Sequence, residues 1–126
     1  MIVLDSSTKL EIVLSGAADP APVIHVVYVD YNPAGMKTIP ATYRADASGS
    51  SDVTILPAPN QNPAREVLAV SVYNADNASV TATIKTDNGT EKIITVVTLA
   101  TLETLFYEKG QGWYAITTAG ALKNST

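Results

Sequence analysis

The sequence has no cysteine, a single histidine and few basic residues. Without cysteine the chain forms neither disulfides nor thiolate ligands, and a reducing compartment is compatible with its folding. The lone histidine, His25, excludes any site that needs two imidazoles. Eight Lys and Arg residues stand against twelve Asp and Glu, which gives a net charge of −4. Because nucleic-acid binding requires a basic face, we expect no nucleic-acid partner.

Long apolar runs are also missing. No run reaches the roughly 20 residues that a membrane-spanning helix needs, and the N-terminus lacks the basic and apolar segments of an export signal. We therefore expect a protein that is made in the cytoplasm and has no membrane partner. Under that expectation the Asn-x-Ser/Thr triplets at Asn77, Asn88 and Asn124 are products of Asn- and Thr-rich turns rather than glycosylation sites.

A β-hairpin signal lies near the middle of the chain. Asn88-Gly89 separates two runs of β-branched residues, and this dipeptide favours a two-residue type I′ turn, since both central residues of that turn need positive φ. Before the turn, residues 80–85 alternate between apolar and polar, the pattern of a half-buried strand. After the turn, residues 93–97 are almost continuously apolar, which predicts a strand covered on both faces or lying at the middle of a sheet.

The rest of the chain also has the pattern of an all-β protein. Residues 32–51 are expected to form a long loop with a possible short strand at 38–43, and residues 57–63 a second Pro-rich connector. The 126 residues fit one domain. We predict a single all-β domain, an antiparallel, jelly-roll-like β-sandwich of about eight strands. Besides the two hairpin strands, the predicted strands are residues 9–14, 23–31, 52–56, 66–74, 104–108 and 113–117.

Side chains that could carry chemistry are better explained by structural roles. His25 alternates with valines on one predicted strand, which favours a hydrogen-bonded histidine within or at the rim of a packed face. Most Asp residues fall at predicted turns or strand ends, where their side chains cap the backbone. Residues 74–77 resemble the start of a calcium loop but lack its glycine and distal glutamate. We therefore expect no catalytic residues, no cofactor and no metal site.

Four aromatic residues lie close together near the C-terminus: Phe106, Tyr107, Trp113 and Tyr114. Sugar-binding modules use such rings as platforms, but alternation along two strands places only half of them on each face. Packing within the C-terminal hairpin is therefore favoured over a sugar platform.

Three blocks of sequence together resemble a known family. They are residues 65–76 (REVLAVSVYNAD), 81–90 (TATIKTDNGT) and 98–113 (TLATLETLFYEKGQGW). Their order resembles small virion proteins of tailed bacteriophages, in which a strand ending in Asn-Ala-Asp, a hairpin through Asp-Asn-Gly-Thr and a final Gly-x-Gly-Trp hairpin follow one another. The likeness covers about residues 9–116. Where these proteins usually have Pro-Gly before Glu-Thr-Leu, this chain has Thr101-Leu102, a difference that concerns the geometry of that corner.

The resemblance implies a capsid decoration, or cement, protein. Such proteins are β-sandwiches, commonly homotrimers, that lie on the outer capsid surface of the virion and bridge subunits of the major capsid protein without a cofactor or an active site. The bridging segments implied here are residues 1–4, 32–51 and 57–63. Their candidate partner contacts are Ile2, Val3, Leu4, Met36, Lys37, Tyr43, Arg44, Asn60 and Gln61.

Alternatives stay open at both the structural and the functional level. Residues 1–8 are either an N-terminal arm that adds to a neighbouring subunit's sheet or include a strand of the domain's own sheet. Residues 119–126 are small and polar, and we expect them to fray. The functional alternative is the receptor- or carbohydrate-binding head of a phage tail fibre or baseplate, with a virion glycan hydrolase as a minor third. A single domain that begins with its own Met leaves no room for a fibre-attachment region, which favours the cement protein.

Overall fold

Residues 1–123, which the computed structural model describes, form ten β-strands and the turns between them. The sequence predicted about eight strands and left open a further strand within residues 1–8 and another at 38–43. Both segments contain a strand, so the number of strands in residues 1–123 is ten. The strand expected at 38–43 lies three residues later. In chain order the strands are β1 (Ile2–Asp5), β2 (Lys9–Leu14), β3 (Val23–Tyr31), β4 (Ala41–Asp46), β5 (Val53–Leu56), β6 (Ala64–Tyr73), β7 (Val80–Asp87), β8 (Glu91–Leu99), β9 (Thr104–Glu108) and β10 (Gly112–Ile116).

The strands form two antiparallel sheets. One has six strands in the order β10-β9-β6-β3-β4, with β1 also paired to β6, and the other has four in the order β5-β2-β7-β8. Strand β6 is the centre of the larger sheet, because β3 pairs along its whole length on one side. On its other side β1 pairs with residues 64–67 and β9 with residues 69–73. Strands β1 and β9 therefore lie end to end along the same edge of β6.

One hydrophobic core lies between the two sheets. Successive side chains of a strand point to opposite faces, and the inward-facing side chains of both sheets form a single cluster. Burying each large aliphatic side chain contributes about 1.5–3 kcal/mol, which stabilises a chain that has no disulfide. The predicted all-β antiparallel sandwich is confirmed, and the jelly-roll connectivity stays a prediction. The fully buried aliphatic residues include Leu4, Leu10, Ile12, Ile24, Ile55, Leu56, Ile84, Leu99 and Leu105.

The N-terminal residues are part of this core. Ile2 is 8% exposed and Leu4 is fully buried, and the Ile2 amide donates to the Tyr107 hydroxyl at 3.1 Å. The turn that follows is closed by Asp5, whose Oδ1 accepts the Ser7 amide at 3.0 Å. Of the two alternatives for residues 1–8, the strand in the domain's own sheet is the observed one. The arm is therefore wrong, and Ile2 and Leu4 are core residues rather than partner contacts.

Strand β8 differs from its prediction. It pairs only with β7 and is an edge strand of the four-stranded sheet, although its apolar run predicted a covered or central strand. A bulge opposite Ile84 and Lys85 leaves Ile94 without a partner in the ladder, and this extra residue shifts the alternation. Ile93 and Val96 consequently both lie on the outer face, where they are 66% and 50% exposed.

The hairpin between β7 and β8 is present, but its turn is not the two-residue type I′ turn. Asp87 pairs with Glu91, so the loop has three residues, 88–90. Gly89 has a φ of +104°, whereas Asn88 is not among the described residues with positive φ. The Asp87 carboxylate accepts the Gly89 amide at 2.8 Å, and such side-chain capping favours a turn that starts at Asp87.

Residues 117–123 are hydrogen-bonded to one another and to β10. The Thr117 amide donates to the Ala121 carbonyl at 2.8 Å, and the Lys123 amide donates to the Ala115 carbonyl at 2.8 Å. The Lys123 ammonium also donates to Glu103 Oε1 at 2.7 Å. The expectation that this segment frays is therefore wrong for residues 119–123. Residues 124–126, with the triplet at Asn124, lie outside the described residues.

Candidate interaction surface

The outer face of the six-stranded sheet carries an aromatic and uncharged centre. Cross-strand pairing places Arg44, His25, Ser71, Phe106 and Tyr114 in one row across β4, β3, β6, β9 and β10. Residues that are directly opposite each other share a face of the sheet. This row therefore runs across the whole sheet on its solvent side, with its one full charge at the β4 end.

Two further rows flank the first one. One contains Val23, Tyr73, Thr104 and Ile116 and ends at Asp46 on β4, and the other contains Val27 and Ala69 and ends at Glu108 on β9, so that carboxylates lie at the rim. All of these side chains are half-buried or exposed. We call this surface the aromatic face; it comprises Val23, His25, Val27, Ala69, Ser71, Tyr73, Thr104, Phe106, Tyr114 and Ile116.

The aromatic face differs from the usual solvent side of an antiparallel sheet. The side chains on the solvent side of an antiparallel sheet are normally polar. Aromatic residues in an uncharged centre, surrounded by a polar rim, are instead typical of protein interfaces. An open depression of about 420 Å³ lies on this face, and its lining includes His25, Ser71 and Phe106. The aromatic face is therefore a candidate contact surface.

The C-terminal aromatic residues divide between the two faces, as their alternation predicted. Tyr107 and Trp113 lie on the core side with ring centroids 5.0 Å apart. Phe106 and Tyr114 stack on the aromatic face with centroids 5.5 Å apart. The Tyr114 hydroxyl donates to Glu108, and this hydrogen bond raises the pKa of the Tyr114 phenol. Core packing thus accounts for one pair, while the other pair is available to a partner.

His25 and Ser71 are cross-strand neighbours on the aromatic face, but their surroundings do not activate a nucleophile. His25 lies on the solvent side of the sheet and is exposed. Its neighbour on the other side is Arg44. In an activated pair, a third group that accepts a hydrogen bond orients the base, and an arginine side chain can only donate. A binding role therefore suits this row better than acyl transfer.

A second candidate surface lies at one end of the sandwich, where a part-buried ion pair contacts the Pro-rich connector. Arg65 donates from Nε to Asp30 Oδ1 at 2.7 Å and from Nη2 to Asp30 Oδ2 at 3.0 Å. Its Nη1 donates to the Pro57 carbonyl at 2.7 Å, and its guanidinium lies 4.3 Å from the Tyr28 ring centroid. Hydrogen bonding to Arg65 lowers the pKa of Asp30. The bidentate pair joins two neighbouring strands of the sheet and orients the guanidinium, whose bond to Pro57 holds the connector.

Buried Glu66 anchors the neighbouring loop. Its side chain is 2% exposed and accepts the Lys109 ammonium at 2.8 Å and the Tyr31 hydroxyl at 3.2 Å. Lys37 lies 3.9 Å away. The hydrogen bond from Lys109 is the main reason that the pKa of Glu66 is lowered. Residues 32–36 form a turn in which the Asn32 side chain accepts the Met36 amide at 3.0 Å, so this part of the predicted long loop has a defined conformation.

The structure brings only some of the predicted contact residues together. Asn60 and Gln61 are exposed and line a depression of about 380 Å³ with Pro33, at the end of the sandwich. Arg44 is exposed beside the aromatic face on the edge strand β4, whereas Tyr43 is half-buried against the core. The remaining predicted contacts are Val3, Met36 and Lys37, whose side chains are more than half exposed.

Most of the aromatic face was not predicted from the sequence. The alternation of Phe106 and Tyr114 indicated two rings on one side of a hairpin. Nothing local, however, indicated that Ser71 and His25 would extend the same row. Such a signal requires the register of four strands, which becomes known only with the fold.

No family model, curated protein or solved structure matches this chain. The function is therefore proposed from the surfaces described above, together with the resemblance found in the sequence. Within residues 1–123, no helix is long and apolar enough to cross a bilayer.

Proposed function

We propose that this protein is a structural virion protein of a tailed bacteriophage that decorates and stabilises the capsid by bridging subunits of the major capsid protein. The observation that carries the proposal is the aromatic face, an uncharged surface on the solvent side of a well-packed sandwich. A surface of this composition gains stability when a partner covers it. A cement protein needs such contact surfaces on a rigid body and needs no active site.

The corner at Leu102 supports the resemblance on which the proposal also rests. The phage proteins usually have Pro-Gly where this chain has Thr101-Leu102. Leu102 has a φ of +63°, a conformation that glycine adopts readily and leucine does not. The backbone at this corner therefore has the geometry that the family's glycine would favour. The substitution changes the residue without abolishing the turn.

We assign the two candidate surfaces to two partners. The aromatic face joins copies of this chain into a homotrimer, since an aromatic sheet face with an uncharged centre suits a permanent interface. The end of the sandwich with Met36, Lys37, Asn60 and Gln61 contacts the major capsid protein on the outer capsid surface. Three linked copies raise the effective concentration of each capsid contact to the millimolar range, so that weak individual contacts hold the shell together.

Changing Ser71→Lys tests the aromatic face. The new ammonium lies at the centre of the face, between His25 and Phe106, and we expect it to abolish self-association because the core of an interface is depleted of charge. The matched control is Thr83→Lys, which places the same charge at a half-buried position on the outer face of the four-stranded sheet. Light scattering should give a trimer for the wild type and the control. A wild-type mass near 13.2 kDa at micromolar concentration would contradict the trimer.

Electron microscopy of labelled virions tests the location. An antibody to this protein should label the outer capsid surface of virions that contain it. Labelling confined to the tail would refute the decoration role and favour a fibre or baseplate head.

A carbohydrate-binding head is the second candidate, and one observation favours it. Phe106 and Tyr114 stack on an exposed face beside the polar side chains of His25 and Ser71, and aromatic rings with polar neighbours are suitable for sugars. A glycan array separates the two candidates. Specific hits that disappear in Tyr114→Ala favour the head, and an array without hits favours the cement protein.

A further inference from the structure

The outer face of the four-stranded sheet has a charged centre, in contrast to the aromatic face. Glu11 on β2 and Lys85 on β7 are directly paired and are buried, although they lie on the solvent side. Ionisable residues of the neighbouring segments cover them. We call this group the charged cluster; it comprises Lys9, Glu11, Asp52, Lys85, Asp87 and Glu91.

Ion pairs satisfy only part of the cluster. Lys9 Nζ lies 3.0 Å from Glu11 Oε2, and Lys85 Nζ lies 2.8 Å from Asp52 Oδ1 and also contacts Glu91 Oε2. Four carboxylates therefore face two ammonium groups. Lys9 Nζ also lies 3.9 Å from Asp87 Oδ2, so each ammonium is shared by two carboxylates. The cluster keeps a net charge of −2, and the like charges of neighbouring carboxylates repel each other.

Glu11 has an oxygen that the described residues leave without a partner. Its side chain is 4% exposed, and its Oε1 is buried without a hydrogen bond. Leaving a buried carboxylate oxygen unsatisfied is unfavourable, because the oxygen has lost its water without gaining a donor. This oxygen belongs to a carboxylate that lies against two others. One carboxylate oxygen each from Glu11, Asp87 and Glu91 lies within 4.8 Å of the other two.

We propose that the charged cluster binds one divalent cation, Ca²⁺, between Glu11, Asp87 and Glu91. Calcium takes oxygen ligands at about 2.3–2.6 Å in flexible geometry and completes its shell with water. Glu11 Oε1 has no partner within residues 1–123, and Glu91 contacts Lys85 through Oε2, which leaves Oε1. Asp87 Oδ1 accepts the Gly89 amide, and its Oδ2 lies 3.9 Å from Lys9 Nζ, longer than a hydrogen bond, so one oxygen of each carboxylate is available to the ion. A doubly charged ion also compensates the two excess negative charges. Mg²⁺ is disfavoured because it needs nearly ideal octahedral geometry.

The proposed ion joins three strands at the hairpin tip. Glu11 belongs to β2, Asp87 ends β7 and Glu91 begins β8. Strand β8 is held on one side only, so the ion would fix its free end to the sheet. The site lies apart from residues 74–77, the segment that resembled a calcium loop. There Asn74 is fully buried and its Nδ2 donates to three carbonyls, which makes it a structural residue. The cation site does not depend on the proposed virion role.

Calorimetric titration of chelator-treated protein with CaCl₂ tests the site, together with melting curves in CaCl₂ and in NaCl of equal ionic strength. We expect saturable binding of one Ca²⁺ per chain and a higher melting temperature in CaCl₂ than in NaCl. Glu91→Gln should weaken binding at least about tenfold, and Glu11→Gln should do the same. Glu91 is half exposed, so its variant keeps the test valid if the variant of buried Glu11 fails to fold. The matched control is Glu108→Gln, an exposed carboxylate on the other sheet that should leave the affinity unchanged.

Two results would overturn the site. One is the absence of saturable binding to the wild type at millimolar CaCl₂. The other is equal affinity in Glu91→Gln and the wild type, which would assign any bound calcium to another place.

Discussion

The assignment of the N-terminal residues to the core can be tested by truncating one side chain. Leu4 is fully buried in the cluster between the sheets. In Leu4→Ala the core loses the transfer free energy of the removed atoms and gains a cavity, which together cost about 2–5 kcal/mol. A domain of this size has an unfolding free energy of about 5–15 kcal/mol. The substitution therefore removes a large fraction of the stability.

The matched control lies one position earlier in the same strand. Val3 points to the solvent side and is 51% exposed, so Val3→Ala should change the unfolding free energy by less than about 1 kcal/mol. At about 3–6 °C per kcal/mol, Leu4→Ala should lower the melting temperature by roughly 10–20 °C. Urea unfolding and thermal melting measure both variants. If Leu4→Ala melts within two degrees of Val3→Ala, residues 1–4 are an arm and not a strand of the core.

Three further predictions concern turns and buried charge. Gly89→Val should destabilise the protein by about 1–3 kcal/mol, because valine does not accommodate a φ of +104° even though the space around Gly89 is open; melting within a degree or two of the wild type would contradict the strained turn. Leu102→Gly should be more stable than Leu102→Ala by up to about 1 kcal/mol in urea unfolding, because only glycine adopts a φ of +63° without backbone strain. An alanine variant of equal or greater stability would exclude strain at this corner. The hydrogen bond from Lys123 lowers the pKa of Glu103 below its ordinary value of 4.5, so this carboxylate contributes stability above pH 4.5 that is lost as the pH falls through the folded-state pKa. Unfolding measured from pH 7 to pH 3 should therefore depend less on pH in Glu103→Gln, and an unchanged pH profile would contradict the role of this pair.

The parts of the fold that sequence patterns predicted are those governed by neighbours in the chain. The hairpin around Gly89 was predicted because β-branched runs and a turn dipeptide lie within about twenty residues. Its turn type was not, because the Asp87 side chain caps the Gly89 amide and so selects a longer loop. Local propensity thus located the turn, and its three-residue loop carries side-chain caps on the Gly89 and Thr90 amides.

Strand β8 shows how the same pattern can mislead. Its apolar run has the composition of a covered strand, but burial depends on which strands pair with it and on where the ladder is interrupted. The unpaired Ile94 turns Ile93 and Val96 to the same outer face. A bulge of this kind leaves no local signal in one sequence, and neither the edge position nor the exposure of β8 could be derived from periodicity.

The candidate surfaces depend on contacts between residues that are far apart in the chain. The row that runs from His25 to Tyr114 crosses four strands, and the charged cluster joins Glu11 to Glu91. Alternation determines which side chains leave the core, but it does not determine which of them become neighbours. The sequence therefore predicted a sandwich whose C-terminal rings divide between two faces and whose acids are scattered. The register of the strands then placed Phe106 and Tyr114 side by side on one sheet and brought Glu11, Asp87 and Glu91 together on the other.

This separation has a physical consequence for how the protein can act. Covering the uncharged aromatic face removes apolar surface from water, a gain that salt does not weaken. The charged cluster would lose its ion pairs and their hydration if a partner covered it, a cost that usually exceeds the gain in attraction. The sandwich is thus suited to contact a partner with the six-stranded sheet and to keep the four-stranded sheet in solvent. In that orientation the charged cluster would remain accessible to small ions while the opposite face held the proposed assembly together.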